Sequence, residues 1–127
     1  MEKIIEKINS IFLTDLYLNV DDIQNIKKTE LELAIGMQLE YVKTDNENNY
    51  ITKATFLIKI DELDDNHIVK ISHIIEFSSE NFDMNKQSKE INLAIFEIIE
   101  PYIRFRLMDL LKPTMFSTFE LPYRFWE

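Results

Sequence analysis

Apolar and polar residues alternate along three segments of the chain, at 31–42, 50–60 and 67–77. A period of two, sustained over this length, indicates strands that bury one face. The polar stretches between these segments are short enough for hairpins, so the pattern predicts an antiparallel three-stranded meander. An earlier apolar segment, 11–20, is expected to join the same sheet through the connection 21–30.

The spacing of apolar residues becomes helical after residue 90, and a helix is predicted over 91–112. Its apolar residues form a wide stripe that needs a packing partner, and the sheet is the available one. The residues expected at the centre of this stripe are Ile95, Ile98, Tyr102, Phe105, Met108 and Leu111, flanked by Ile99, Ile103, Leu107 and Leu110. Pro101 is expected to kink the helix or to begin a second one, and Pro113 to end it.

These elements predict an α+β fold, in which a four-stranded antiparallel sheet is followed by a long C-terminal helix packed on one face. The sheet is expected within 8–77, and the helix with an aromatic C-terminal segment within 91–127. The phenylalanines of that last segment are predicted to cover the seam between helix and sheet. A length of 127 residues without repeats or linkers indicates a single domain over 1–127.

Charge and residue usage exclude several classes of protein. The net charge is −9 and no basic patch is present, so nucleic-acid binding is not expected. The absence of cysteine excludes disulfides and thiolate metal sites, and it favours a reducing, cytoplasmic compartment. The N-terminal segment lacks the features of a signal peptide, and no apolar run approaches the ~20 residues of a membrane span. We therefore expect a cytoplasmic protein without membrane insertion.

No combination of residues in the sequence points to catalysis. His67 and His73 share one face of a strand by parity but lie ~20 Å apart along it, too far to hold one metal ion without a bend. The acidic pairs fall in predicted loops, and the serines lack the glycines of a nucleophile elbow or a recognisable base. The single glycine, Gly36, leaves little room for a phosphate-binding loop. We therefore expect no enzyme, no cofactor and no metal site.

Two stretches near the chain ends resemble the SecB family of protein-export chaperones. In the C-terminal stretch, "PYIR" at 101–104 is followed by an apolar helical half, the alternating "FEL", a proline and a last phenylalanine. The positions that match the family pattern there are Pro101, Tyr102, Arg104, Phe116, Leu121 and Phe125. The positions that match the family's first strand are Ile8, Ile11, Phe12, Asp15 and Leu16.

The resemblance implies an ATP-independent holdase that keeps unfolded polypeptides soluble in apolar grooves and assembles as a homo-oligomer, a dimer or a tetramer. The residues that we expect in the client groove are Leu13, Leu18, Ile35, Leu39, Phe82, Met84, Phe105 and Met108. Such residues are ordinarily core or subunit interface, or loop anchors in the case of Phe82 and Met84, and this alternative stays open.

The resemblance also implies a docking site for the SecA motor beside Asp15. Asn19 and Lys70 stand where the family has acidic residues, however, and Ile95 and Phe96 stand where it has a cysteine–proline step. Three hypotheses follow. The first is a SecB-like chaperone in export or a related holding role, and the second is an adaptor of the same fold dedicated to one client, such as an antitoxin, without SecA coupling. The third is a ligand-binding or enzymatic domain whose likeness to the family is fortuitous. The lack of any combination of residues that points to catalysis argues against it.

Overall fold

The strands and the helix follow one another along the chain as predicted. The computed structural model describes residues 5, 7–20, 33–60, 67–80, 82 and 89–126. The elements are β1 (Lys7–Leu18), β2 (Leu33–Lys43), β3 (Asn49–Ile60), β4 (His67–Ser78) and α1 (Lys89–Leu111). A four-stranded antiparallel sheet followed by one C-terminal helix confirms the predicted fold class. The predicted connections at 21–30 and 61–66 and the candidate residue Met84 lie outside the described residues.

The strand order in the sheet is β1-β4-β3-β2, and every neighbouring pair is antiparallel. The strands β2, β3 and β4 form the predicted meander, and β1 lies on the far side of β4. β2 pairs with β3 without a register shift from Leu33 to Lys43. In the turn that connects them Asn48 has a φ of 64°, a conformation that asparagine tolerates better than most residues. The two edges of the sheet are therefore β1 and β2.

A bulge in β1 sets the direction of its side chains. The register shifts between Leu13, which pairs with His73, and Asp15, which pairs with Ser72. The extra residue is Thr14, whose hydroxyl donates a hydrogen bond of 3.2 Å to the Ser72 carbonyl. Because one extra residue reverses the alternation, Leu13 lies on the face that α1 covers, and Asp15 lies on the opposite, outer face.

A register shift between β3 and β4 separates the two histidines. It falls between Ile58 and Lys59 and aligns His67 with Lys59 on the outer face. The His67 ring meets the Tyr17 ring there, with the centroids 5.2 Å apart. His73 lies on the covered face and is buried. The prediction that both histidines share one face is wrong, because the irregular pairing adds one residue to the alternation between them.

The core lies between α1 and the covered face of the two central strands. The alternating residues of β3 and β4 are buried as predicted: Thr52, Ala54, Phe56, Ile58 and Ile60, with Val69, Ile71, His73, Ile75 and Phe77. Most of the corresponding residues of β1 and β2 are only partly buried. An edge strand has a neighbour on one side only, so its apolar side chains keep part of their surface open.

The helix α1 buries a different set of residues from the one expected at the centre of its stripe. The buried residues are spaced by four: Ile91, Ile95, Ile99, Ile103, Leu107 and Leu111. Tyr102, Phe105 and Met108, which were expected to face the sheet, are exposed. That part of the prediction is wrong because α1 is apolar on two sides, and spacing alone does not tell which side faces the sheet.

The helix is continuous through Pro101. A proline has no N–H, so the carbonyl of Glu97 loses its helical partner. Both residues are exposed, and water at the surface can replace the missing donor. Of the two alternatives expected at Pro101, a kink or the start of a second helix, the second is therefore wrong. The helix ends at Leu111, whose carbonyl accepts hydrogen bonds from the main chain and the hydroxyl of Thr114.

The segment after α1 folds back over the helix and the sheet, as its aromatic residues predict. Leu121 is buried, and Phe116, Phe119 and Phe125 are partly buried against the core. Main-chain hydrogen bonds from Ser117 and Phe119 to the carbonyls three residues earlier form consecutive turns. This segment, 112–126, is called the tail below.

Candidate polypeptide-binding surfaces

A cleft lies between the second half of α1 and the tail. Its volume is about 720 Å³. Phe105 and Met108 line its helix side and are 65% and 66% exposed. Phe119 and Leu121 line its tail side, and charged residues of both signs stand among the apolar ones. We call this the helix–tail cleft, and it contains two of the residues that sequence analysis expects in a client groove.

Arg104 fixes the tail beside this cleft. Its Nη1 donates to the Leu121 carbonyl at 2.6 Å, and its Nη2 donates to the Pro122 carbonyl at 3.3 Å. The same Nη2 forms an ion pair of 2.7 Å with Glu100, which precedes it by one helical turn (i, i+4). A guanidinium bonded to two backbone carbonyls and one carboxylate holds the tail against the helix at 121–122.

A second apolar surface lies between β2 and the first half of α1, and we call it the β2–α1 groove. Ile35 and Met37 line its sheet side, and Phe96 lines its helix side. The tail enters it with Phe125 and Trp126. Ile35, which sequence analysis also places in the client groove, therefore lines the same space as the chain's own Phe125 and Trp126.

The rings of the tail pack against rings of the sheet and the helix in this groove. The Phe125 ring meets the buried Phe56 ring of β3 with the centroids 5.2 Å apart, and Trp126 meets Phe96 at 5.8 Å. Arg124 lies between residues 121–122, which Arg104 holds, and these rings. It forms an ion pair of 3.0 Å with Glu97. The groove is thus an aromatic site with one carboxylate at its rim.

The remaining candidate groove residues lie elsewhere in the fold. Leu13 and Leu18 are on the covered face of β1, at the opposite edge of the sheet from Leu39 on β2. All three are partly buried against the core. Phe82 is buried among the rings of Tyr41, Tyr50 and Phe77. The structure therefore does not bring the candidate residues together into one continuous groove.

Asp15, the candidate docking residue, is paired on the outer face of the sheet. The bulge at Thr14 points it outward, where its carboxylate lies 3.3 Å from the Nζ of Lys70 on β4. Lys70 is one of the two positions at which the resemblance expects an acidic residue. Lys70, which departs from the family pattern, thus forms an ion pair with Asp15, which matches it.

The described part of the outer face carries charges of both signs in similar number. Alternation and register place these charged side chains on it: Lys7, Lys53, Lys59 and Lys70, with Asp15, Glu40 and Glu76. The described residues of this face therefore offer a basic partner no acidic surface.

Two buried polar groups stand out on the covered face. The Tyr41 hydroxyl donates a hydrogen bond of 2.7 Å to the Asn92 side chain of α1, and burial raises the pKa of Tyr41 to about 12. Neither ring nitrogen of His73 has a hydrogen-bond partner among the described residues. Burial, and then the positive charge of Arg106, lower the pKa of His73 to about 4. His73 is therefore neutral near pH 7.

The described residues offer neither a cluster of metal ligands nor a helix that is long and apolar enough to cross a membrane. No three histidine, aspartate or glutamate side chains converge within the described ranges. The statement about a membrane-crossing helix likewise concerns only the part of the chain that the structure describes.

Sequence reasoning missed the residues that hold the tail. Phe96, Glu97 and Arg124 lie far from one another in sequence or in different elements, and no periodicity links them. Arg104 was singled out as a position of the family resemblance, and nothing in the sequence linked it to the tail. The available signal was the density of aromatic residues after Pro113, which predicts packing but not the place where the rings pack.

Comparison with known proteins gives a likeness of fold. No protein-family model matches the chain, and a search of curated proteins finds no relative in sequence. Among solved structures, the SecB-like chaperone Rv1957 of Mycobacterium tuberculosis, in complex with a ChAD peptide from the Rv1956 HigA1 antitoxin, superposes with a TM-score of 0.56. The match covers 92% of this chain and 89% of that one at 11% sequence identity. The chain therefore has a SecB-like fold.

Proposed function

We propose that the chain is an ATP-independent chaperone, a holdase, that binds unfolded or extended polypeptides on the apolar surface of α1 and in the adjoining cleft. The observation that carries the proposal is the second apolar side of the helix. Tyr102, Phe105 and Met108 are exposed there, while the isoleucine and leucine stripe of the same helix already forms the core. Phe105 and Met108 keep about two thirds of their surface exposed, and contiguous exposed apolar surface marks binding sites.

The chemistry of this surface suits clients of varied sequence. Methionine fits irregular partners because its side chain is flexible and polarizable, and Met108 and Met115 are both exposed. The helix–tail cleft beside them is bordered by Arg104, Asp109 and Glu120, which provide polar contacts for an extended backbone. Ile35 and Leu39 on the edge strand β2, and Leu13 and Leu18 on β1, would extend the contact area on the covered face.

The same exposed side of α1 is also a candidate subunit interface. A homo-oligomer, a dimer or a tetramer, would bury part of Phe105 and Met108 and leave the rest of the cleft to clients. Export of newly made proteins from the cytoplasm, without enzymatic activity or a cofactor, is the setting that this function fits best.

A second candidate function is an adaptor dedicated to one client, such as an antitoxin, without coupling to SecA. The ion pair of Asp15 with Lys70 favours it, because it neutralises the docking carboxylate. The solved chaperone of similar fold holds an antitoxin peptide. If SecA binds this chain, Lys70→Glu should strengthen the binding and Asp15→Ala should weaken it. Equally weak binding by the wild type and both variants would show that Asp15 is not a docking residue.

One experiment separates these functions. The mass of the purified chain in solution is measured, and the chain is tested for suppression of aggregation of two unrelated unfolded substrates at a stoichiometric ratio. Suppression of both by an oligomer supports the holdase, and suppression of neither, together with one co-purifying partner, supports the adaptor. A stable monomer that suppresses no aggregation would contradict the chaperone function.

Matched variants locate the activity. The double variant Phe105→Ser, Met108→Ser removes exposed apolar surface from α1 and should lose most of the suppression. Val42→Ser removes an exposed apolar side chain from the outer face and should retain it, since Val42 is 58% exposed and lies on the face of the sheet opposite to α1. Equal loss in both variants would mean that general surface apolarity, and not this side of the helix, carries the effect.

A further inference from the structure

We propose that the end of the tail, residues 124–126, is a displaceable occupant of the β2–α1 groove, and that an aromatic segment of a client polypeptide binds there when the tail leaves. This inference rests on the proposed function. It concerns a site other than the exposed side of α1, because the groove is filled by the chain itself.

The groove is a formed site and not an accident of the surface. Three elements build it: β2 contributes Ile35 and Met37, β3 contributes Phe56, and α1 contributes Phe96. Phe125 and Trp126 also meet each other edge-on, with their centroids 5.1 Å apart. Two aromatic rings side by side on an apolar floor are the kind of contact that an aromatic pair of a client could reproduce.

The tail fits this site imperfectly in three respects. Arg124 has a φ of 51°, a left-handed conformation that a non-glycine residue adopts at an energetic cost. The indole Nε1 of Trp126 is buried, and no acceptor among the described residues is within hydrogen-bonding distance. A space of about 230 Å³ remains between the tail rings, Phe96 and β2. An occupant without these defects would bind the same residues more favourably.

Different contacts hold the end of the tail and its base, which is residues 121–122. The end can therefore leave the groove while the base stays bound to the helix. The base is held by the two hydrogen bonds that Arg104 donates to the carbonyls of Leu121 and Pro122. The end is held by the rings and by the Arg124–Glu97 pair, in which the glutamate side chain is largely exposed, so the pair is weak and sensitive to salt. Release of the end therefore requires no disruption of the helix or the sheet.

The chain provides its own probe for this movement. Trp126 is the only tryptophan among the 127 residues, so intrinsic tryptophan emission reports on the groove alone. The ligand for the test is a synthetic 15-residue peptide that is rich in phenylalanine and leucine and contains no tryptophan. Its affinity for the full chain is measured by fluorescence anisotropy with an end label, and the Trp126 emission is recorded with the unlabelled peptide.

Saturating peptide should shift the Trp126 emission to longer wavelength, because the indole moves into water. Phe125→Ala should raise the affinity for the peptide on the order of 10-fold, because the groove is then open in a larger fraction of molecules. Tyr123→Ala is the matched control, since Tyr123 is exposed and belongs to the same segment, and it should leave the affinity unchanged. Glu97→Gln, which keeps the shape of the groove, should give a smaller increase of about 2-fold.

Peptide binding without any change in the Trp126 emission, or with equal affinity in wild type, Phe125→Ala and Glu97→Gln, would overturn this inference and leave the proposed function intact. An emission change that depends on chain concentration without peptide would identify the occupant as the tail of a second copy, and it would overturn the assignment to a client. Absence of peptide binding in every variant, together with no suppression of aggregation, would overturn the proposed function itself.

Discussion

The buried His73 makes the stability of the fold depend on pH. Its imidazole lies on β4 between Leu13 of β1 and Ala54 of β3 and is 1% exposed. No described residue accepts from or donates to either nitrogen. The ring of Tyr102 on α1 lies at 6.2 Å, and Arg106 contributes a positive charge. Protonation would therefore create a charge without a partner inside the core.

The size of the effect follows from the two pKa values. Burial lowers the pKa of His73 from 6.5 to about 4. Between these values the unfolded chain binds a proton at His73 that the folded chain does not, so the free energy of unfolding falls as the pH falls. Above pH 6.5 the residue is neutral in both states and contributes nothing. Since one pKa unit corresponds to about 1.4 kcal/mol, the loss between pH 7 and pH 4.5 is about 2.5 kcal/mol.

The assay is urea unfolding of the wild type and of His73→Leu at several pH values from 7 to 4.5. Carboxyl groups titrate in the same range in both proteins, so the informative quantity is the difference between the two free energies of unfolding. We expect the wild type to lose about 2.5 kcal/mol relative to His73→Leu over this range. His67→Leu controls for the loss of an imidazole on the other face. Parallel pH profiles for the wild type and His73→Leu, with both folded at pH 7, would refute the argument.

Three further predictions concern packing and are each tested by urea unfolding at pH 7 and low protein concentration. Ile99→Ala should lower the free energy of unfolding by about 2–5 kcal/mol. Met108→Ala, on the other side of the helix, should change it by no more than about 0.5 kcal/mol. The reverse order would mean that the helix faces the sheet with its other side. Tyr41→Phe should cost about 1 kcal/mol, because the side-chain oxygen of Asn92 loses its donor, and an unchanged midpoint would show that water replaces it. Lys70→Ala should change stability by less than about 1 kcal/mol, because its ion pair is partly exposed, and a larger loss would assign the pair a structural role.

The strands could be predicted from the sequence because the alternation directly records which face is buried. It worked best for β2 and β3, which pair in an unbroken register. It was less accurate for β1, predicted over 11–20 and found at Lys7–Leu18, because the bulges interrupt the alternation of that strand. The outward direction of Asp15 depends on such a bulge and could not be derived from period two.

The surfaces for a client could be predicted only in part. Periodicity identified Phe105 and Met108 as part of an apolar helix but assigned them to the sheet, because a helix that is apolar on two sides gives no preferred direction. The β2–α1 groove depends on contacts between β2, α1 and the end of the tail, such as Arg124 with Glu97. Those contacts are set by how the tail returns over the fold, and local patterns contain no information about that path.

The central claim, that unfolded polypeptides bind the exposed side of α1, is tested most directly by site-specific photocrosslinking in the full chain. A benzoylphenylalanine at position 105 is compared with one at position 42, since both native side chains are exposed and apolar but lie on opposite sides of the molecule. We predict that an unfolded client crosslinks strongly from position 105 and weakly or not at all from position 42. Equal crosslinking from both positions, or none from position 105 while a client is bound, would contradict the account.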